Sequence, residues 1–303
     1  MGDSRVKNEN LILDFTHVYC DEYIKDIDRF RYIDCSDIEE TDMYCSKEAN
    51  KRIWEKIKPY GIQGIHYIDS GNYHYISKII TDHIDEPFGL VMYDHHTDMQ
   101  IPMVPGMMSC GDWAGQALNR NKNLRQLVIV GPPEKDIDQT LESYKCEHNV
   151  QETECDGPYD ISRDISSGRL LIFSAEDLHG GLLENKLKLI RTDLPLYISI
   201  DKDVLGTEDC ETNWSQGNMS IGGLERLLGV FLGGQGEERN SDACCNDERY
   251  AGDIRHSRIL GVDICGEIQT DIPVPEYLEA EEKNEKVNIE LFRFISEHVK
   301  KFR

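Results

Sequence analysis

Two short acidic motifs each follow a run of apolar residues in this sequence. Residues 94–98 read Asp-His-His-Thr-Asp, and residues 201–203 read Asp-Lys-Asp. Alternate side chains of an extended chain share one face, so the polar groups of each motif can point together. The side chains that can converge in this way are Asp94, His96, Asp98, Asp201 and Asp203. Four carboxylates cannot all stay ionised and unpaired in one place, which indicates a bound divalent metal.

The ligand types narrow the choice of metal. Carboxylates and imidazoles without a thiolate favour Mn²⁺ and leave Fe²⁺, Co²⁺ or Zn²⁺ open. Four acids exceed the need of one ion, so the sequence predicts two ions, which would activate water at neutral pH. His74 follows a third apolar run and is a further candidate ligand. The alternative is that the acids only cap helices.

Short apolar runs recur along the chain, as is typical of strands buried on both faces of a parallel sheet. They are Leu11–Phe15, Gly64–Ile68, Gly89–Tyr93, Gln126–Gly131, Leu170–Ser174, Leu196–Ile200 and Ile259–Ile264. Apolar residues at helical spacing predict helices between them. These are 46–58, 74–83, 221–232 and 287–302. Ligands of open α/β sheets bind beyond the carboxyl ends of the strands, where both acidic motifs fall.

Alternating strands and helices favour one α/β domain over residues 1–303, with a polar surface excursion near 233–253. Acids number 57 and bases 33, and the net charge is −24. This excess argues against nucleic acids and anionic membranes as partners. It serves solubility or attracts a cationic substrate. With no apolar membrane-spanning run and ten irregularly spaced cysteines, we expect a reduced, cytoplasmic protein.

The motif order resembles the arginase or ureohydrolase family. Gly71-Asn-Tyr-His74, the Asp94–Asp98 motif and Ser199-Ile-Asp-Lys-Asp203 carry this resemblance. It implies a three-layer αβα sandwich with a mainly parallel sheet, similar to arginases and deacetylases. It also implies two Mn²⁺ ions and attack of a metal-bridging hydroxide on a guanidinium carbon, which releases urea or an analogous product. Homo-oligomers are common in this family.

The resemblance also implies which residues hold each ion. One ion would be held by His74, Asp94, Asp98 and Asp201, and the other by Asp94, His96, Asp201 and Asp203. Asp98 would orient the hydroxide and pass a proton to the leaving amine. An acid after the last strand, Glu267 or alternatively Asp263, would grip the guanidinium. Further substrate candidates are Gln100, Ser109, Trp113, Glu176, Asp177, Trp214 and Gln216.

The sequence departs from the family after Asp98. Met99–Trp113 lacks the Asn and His that hold a free amino acid and shuttle a proton in arginases, and Trp113 falls near the shuttle position. The sequence therefore favours a larger or modified guanidine, such as peptidyl arginine, over free L-arginine. Two alternatives remain open. One is a zinc-dependent deacetylase-like enzyme, and the other is a metal-binding protein without turnover.

Overall fold

A computed structural model of the chain describes residues 8–19, 29–147, 161–179, 186–232, 258–269, 272–299 and 302. The predicted polar excursion near 233–253 lies outside these residues.

Eight parallel strands form the main sheet. They are β1 (Asn10–Asp14), β2 (Phe30–Asp34), β4 (Ile65–Ile68), β5 (Phe88–Tyr93), β7 (Leu124–Val130), β8 (Leu170–Phe173), β9 (Leu196–Asp201) and β10 (Ile259–Cys265). Their order across the sheet is β2-β1-β4-β10-β9-β5-β7-β8. The two remaining strands, β3 (Tyr44–Cys45) and β6 (Met108–Ser109), form a short antiparallel ribbon. All seven predicted strands are present, which confirms the parallel sheet.

Strand β2, which lies at one edge of the sheet, was not predicted from the sequence. It pairs with β1 alone. Arg31 and Asp34 are exposed, and only Ile33 is buried. A strand that meets solvent in this way lacks the continuous apolar run that marks the inner strands.

Seven helices accompany the strands in the described part of the chain. They are α1 (Lys47–Ile57), α2 (Ile76–Thr81), α3 (Trp113–Arg120), α4 (Glu134–Glu147), α5 (Ile161–Ser166), α6 (Ile221–Leu232) and α7 (Val274–His298). The prediction for α6 is confirmed. Helix α7 begins at Val274 rather than at 287, because its first half is mainly charged and exposed and shows no apolar stripe. None of the helices in the described ranges has the length and apolar character needed to cross a membrane.

Apolar side chains cover both faces of the sheet. Leu11 and Leu13 pack in one core with α1 to α3, whereas Ile12 packs in the other core. Residues from α6 and α7, such as Leu228 and Leu291, complete the second core. Successive residues of a strand point to opposite faces, so this division produces three layers. The predicted αβα sandwich is confirmed.

Candidate metal centre

The two acidic motifs meet because their strands are neighbours. Strands β5 and β9 pair in parallel, with Tyr93 opposite Ile200. Asp94 follows the last residue of β5, and Asp201 is the last residue of β9. Both carboxylates therefore emerge at the same edge in the middle of the sheet, as predicted from the ends of the apolar runs.

His74 reaches this edge through the turn that follows β4. The chain makes a 3₁₀ turn over Gly71–Tyr73 before His74. Asp69 anchors the turn, because its carboxylate accepts hydrogen bonds from the backbone N–H groups of Phe15, Thr16 and Ser70. Burial raises the pKa of Asp69 to about 6. The end of β4 is thus fixed to the end of β1.

Asp98 lies in the left-handed backbone region with φ of 47°. Asp adopts this region more readily than most residues, and such strained positions cluster at functional sites. Its carbonyl oxygen accepts hydrogen bonds from the N–H groups of Ala114 and Gly115 in the first turn of α3. Helix α3 thereby holds the turn that aims the Asp98 side chain inward.

The first ligand set gathers around the imidazole of His74. Nδ1 lies 3.1 Å from Oδ2 of Asp94, 3.0 Å from Oδ2 of Asp98 and 3.6 Å from Oδ2 of Asp201. His74 and Asp94 are each 1 % exposed. This arrangement brings together the four residues that the resemblance assigned to one ion.

The second ligand set lies beside the first. Nδ1 of His96 is 2.7 Å from Oδ2 of Asp203 and 3.4 Å from Oδ1 of Asp94. Asp94 thus belongs to both sets, since its candidate ligand atoms lie within 4.8 Å of those of His74 and Asp98 on one side and of His96 and Asp203 on the other. Oδ1 of Asp201 accepts a 3.0 Å hydrogen bond from the Asp203 N–H, which keeps this motif compact.

The protonation equilibria indicate that the cluster needs positive charge. Burial and the Asp94 charge raise the pKa of Asp98 to about 7, and burial and Asp201 raise the pKa of Asp203. Burial alone would lower the pKa of His96, but hydrogen bonds to Asp203 and Asp94 raise it to about 12. Protons bound to these groups occupy the place that divalent cations would take.

Unpaired atoms and the outer contacts of His74 fit a metal. Nδ1 of His74 and Oδ2 of Asp94 are buried and lie 3.1 Å apart, but neither atom makes a hydrogen bond. Nε2 of His74 lies 2.9 Å from Oγ of Ser199, which is 3.0 Å from Oγ of Ser77. Ser77 Oγ in turn donates to Oδ1 of Asp263. Metal-binding histidines commonly use their second ring nitrogen in this way, which leaves Nδ1 free to bind an ion.

A pocket opens over the cluster. Its volume is about 510 Å³ when the space at the open mouth is counted. Its wall includes Tyr44 from β3, Ser109 from β6, Gln100 and Trp214. Gly71 belongs to the same wall, where a Cβ would lie 2.9 Å from Cδ1 of Trp214 and 3.0 Å from Oδ2 of Asp201. The pocket therefore gives access from solvent to the carboxylates.

The predicted substrate residues divide into two groups. Gln100, Ser109 and Trp214 line the pocket. Trp113 does not, because its ring is fully buried at the start of α3, where Nε1 donates a 2.6 Å hydrogen bond to Oδ2 of Asp98. Gln216 holds its own loop together through hydrogen bonds to the carbonyl oxygens of Leu205 and Cys210.

Glu267 and Asp263 also lie outside the pocket lining. The Glu267 carboxylate is 1 % exposed and forms a buried ion pair with Lys202. It accepts further hydrogen bonds from Tyr19 and from Asn284 and Asn288 of α7. These contacts already occupy lone pairs of both carboxylate oxygens of Glu267.

The two acids that follow β8 serve local structure. Oε2 of Glu176 accepts a 3.0 Å hydrogen bond from the N–H of Glu134 at the start of α4. Asp177 accepts one from the N–H of Ser174 and pairs with Lys186. Both acids therefore stabilise the local backbone, as capping side chains do.

Sequence reasoning missed several residues at or beside the site. Tyr44 and Cys110 reach the pocket through the β3–β6 ribbon, whose two-residue strands leave no pattern in the sequence. Cys265 ends β10 and lies 3.2 Å from Oδ2 of Asp201. Its position at the end of a predicted strand was the available signal, but a single cysteine in an apolar run looks like a core residue.

Comparison with known proteins supports this architecture. No protein-family model matches the chain. An uncharacterized protein from Thermotoga maritima is 29 % identical over 231 residues, which are 75 % of this chain and 66 % of that protein. The chain thus spans slightly less than two thirds of the length of that relative.

Solved structures show the same fold at low identity. Agmatine ureohydrolase of Thermoplasma volcanium has a TM-score of 0.54 at 12 % identity, covering 98 % of this chain and 92 % of that one. Arginase from Bacillus subtilis has a TM-score of 0.54 at 13 % identity, covering 95 % and 98 %. The chain has the arginase fold. A Trypanosoma cruzi formiminoglutamase with Mn²⁺ also shares it, with a TM-score of 0.50 at 10 % identity and 93 % coverage of both chains. The arginase-like fold implied by the strand-end motifs is confirmed.

Proposed function

We propose that this chain is a hydrolase that holds two divalent metal ions, with Mn²⁺ as the first candidate, and cleaves a C–N bond of a guanidino or other linear amidine compound. The sharing of Asp94 between two ligand sets, one of them fully buried, carries this proposal. Two ions that share a carboxylate lie close enough to act on one water and one substrate. The arginase fold is in agreement, because its solved examples include an arginase and an agmatine ureohydrolase.

Bound divalent ions would supply Lewis acidity, which activates water at neutral pH. His74, Asp94, Asp98 and Asp201 would hold one ion, and Asp94, His96, Asp201 and Asp203 the other. Asp98 is also placed to move protons, because it lines the pocket above the cluster. A carboxylate at this place can accept a proton from the attacking water and return it to the leaving amine.

The pocket wall supports a cationic or amidino substrate. Among the described residues that line it, none is Lys or Arg. An entering cation would therefore meet carboxylates together with the rings of Tyr44 and Trp214, and a cation–π contact contributes about 0.5–2 kcal/mol. Met43 lies on the rim with 36 % of its surface exposed. An open mouth of this kind supports a larger guanidine, such as a peptidyl arginine, whose chain remains outside.

The proposal is tested by counting metals and products in one preparation. Protein loaded with Mn²⁺ is analysed for ions per chain and assayed for urea, amine or acetate release. The panel comprises free arginine, agmatine, arginyl peptides, formimino compounds and an acetyl-lysine peptide. We expect two ions per chain and hydrolysis of at least one guanidino or amidino compound.

Two variants accompany the assay. Asp201→Asn removes an acid of the cluster and should lose metal and activity. Glu176→Gln alters an exposed acid at another strand end and should retain both. Hydrolysis of acetyl-lysine alone with a single zinc ion would favour the deacetylase alternative. Two ions without turnover of any compound would favour the non-catalytic one.

A further inference from the structure

The thiol of Cys265 lies against the metal-ligand cluster. Cys265 is the last residue of β10, is fully buried, and pairs in register with Asp201 of β9. Its Sγ is 3.2 Å from Oδ2 of Asp201. The candidate ligand atoms of His74, Asp201 and Cys265 all lie within 4.8 Å of one another, which makes them a third ligand set among the described residues.

The imidazole of His74 provides a second, independent observation. Its Nδ1 is buried and makes no hydrogen bond, although carboxylate oxygens of Asp94 and Asp98 lie 3.1 Å and 3.0 Å away. The same nitrogen lies 3.6 Å from the Asp201 oxygen that the thiol contacts. The nitrogen, the oxygen and the sulfur therefore border one common volume in which a cation would satisfy all three.

Asp98 is a poorer donor on this side than the resemblance implies. Its Oδ2, which faces His74, already accepts the 2.6 Å hydrogen bond from Nε1 of Trp113. A carboxylate oxygen has two lone pairs, and the indole occupies one of them. An ion beside His74 would thus find fewer free oxygen lone pairs and, in addition, a sulfur.

We propose that Cys265 is a ligand of the metal centre, binding as a thiolate together with His74 and Asp201. The inference rests on the proposed function, because it concerns the same centre. When the ion binds, the thiol proton passes to solvent and a sulfur–metal bond takes its place. A thiolate is a softer ligand than a carboxylate. Compared with a site of oxygen and nitrogen ligands alone, the centre should therefore bind Zn²⁺, Co²⁺ or Fe²⁺ more tightly relative to Mn²⁺.

The test uses the full chain, stripped of metal and loaded with Co²⁺ in stoichiometric amounts. Thiolate bound to Co²⁺ gives a sulfur-to-cobalt charge-transfer band in the near ultraviolet, whereas oxygen and nitrogen ligands give visible bands alone. We expect the charge-transfer band in the wild type and its loss in Cys265→Ser, with the visible bands of bound cobalt retained. Cys110→Ser is the matched control, because Cys110 is another buried free thiol and lines the pocket.

Bound cobalt without the band in the wild type, or a band that survives Cys265→Ser, would overturn the ligand assignment and leave the two-metal proposal standing. Failure to bind any cobalt would count against both. If Cys265→Ser does not fold, X-ray absorption on the zinc-loaded wild type decides. A sulfur neighbour at about 2.3 Å beside lighter atoms at about 2.0–2.1 Å would support the assignment, and its absence would refute it.

Discussion

The indole of Trp113 supports Asp98 from inside the protein, through a 2.6 Å hydrogen bond from Nε1 to Oδ2. The ring is fully buried and lies 4.8 Å from the ring of His74. The residue near the family's proton-shuttle position thus faces the back of the centre rather than the substrate. A single donor at a buried carboxylate fixes its orientation before any ion arrives.

Trp113→Phe should destabilise the metal-free protein by about 1.5–3 kcal/mol, the range for hydrogen bonds to charged groups. With saturating metal the loss should be smaller, because the ion then compensates the Asp98 charge. Urea denaturation with chelator and with metal measures both values. Trp214→Phe is the control, since Trp214 donates to the neutral Oδ1 of Asn72 and is only partly buried. Equal losses with and without metal would contradict this role for Trp113.

Removing metal should make stability fall as the pH rises. Burial raises the pKa of Asp98 to about 7 and that of Asp263 to about 6, from an ordinary value of about 3.9. Between about pH 4 and pH 7 the folded chain then binds more protons than the unfolded chain. The free energy of unfolding therefore falls as the pH rises through this range. The free energy of unfolding of chelator-treated protein should therefore decline from about pH 4 to pH 7.

The same series on Asp98→Asn should show a shallower decline, because one of the carboxyl groups with a raised pKa is gone. Measurements at fixed ionic strength keep surface charges comparable. Added metal should flatten the wild-type slope, since it favours the ionised carboxylates. A free energy of unfolding that rises with pH in the metal-free wild type would rule out this account.

Gly71→Ala should weaken metal binding by about tenfold or more, which is about 1.4 kcal/mol. The new Cβ would lie 3.0 Å from Oδ2 of Asp201 and would push either that carboxylate or the Trp214 ring. Calorimetric titration with Mn²⁺ measures the change. Gly206→Ala serves as the comparison, because its Cβ would meet nothing nearer than 3.6 Å. Unchanged affinity in Gly71→Ala would mean that the Asp201 carboxylate or the Trp214 ring moves aside without weakening metal binding.

Glu267→Gln should cost about 3–5 kcal/mol of stability, because it leaves the Lys202 charge buried without its partner. Lys202 is fully buried, and its Nζ also donates to Oδ1 of Asn288 at 3.0 Å. Replacing both partners, in Lys202→Met/Glu267→Gln, should recover part of the loss. Chemical denaturation provides the values. A variant of unchanged stability with a raised KM would instead support the guanidinium-binding role suggested by the resemblance.

The ligand cluster could be predicted from sequence because its parts follow apolar runs. Asp94 and Asp201 sit where β5 and β9 end, and the ends of parallel strands meet at one edge whatever the loops do. His74 could be predicted by the same argument, because it follows the end of β4. The periodicity of the apolar residues and the positions of the strand ends therefore predicted where the candidate ligands meet, without information on the loops.

The substrate side could not be predicted in the same way. Trp113 and Glu267 turn inward because of contacts distant in sequence, namely with Asp98 and Lys202. The first half of α7 was missed for a different reason, since a charged exposed helix carries no apolar stripe.

The β3–β6 ribbon supplies Tyr44 and Ser109 to the pocket wall but none of the six predicted ligands. Under the proposed function, the pocket wall would select a compound and the ligand motifs would attack it, and the ribbon part of that wall is encoded apart from the motifs. A library of ribbon sequences could be screened on one fixed centre, with bound metal as the check that the scaffold remains intact. New specificities would then be accessible without rebuilding the catalytic apparatus.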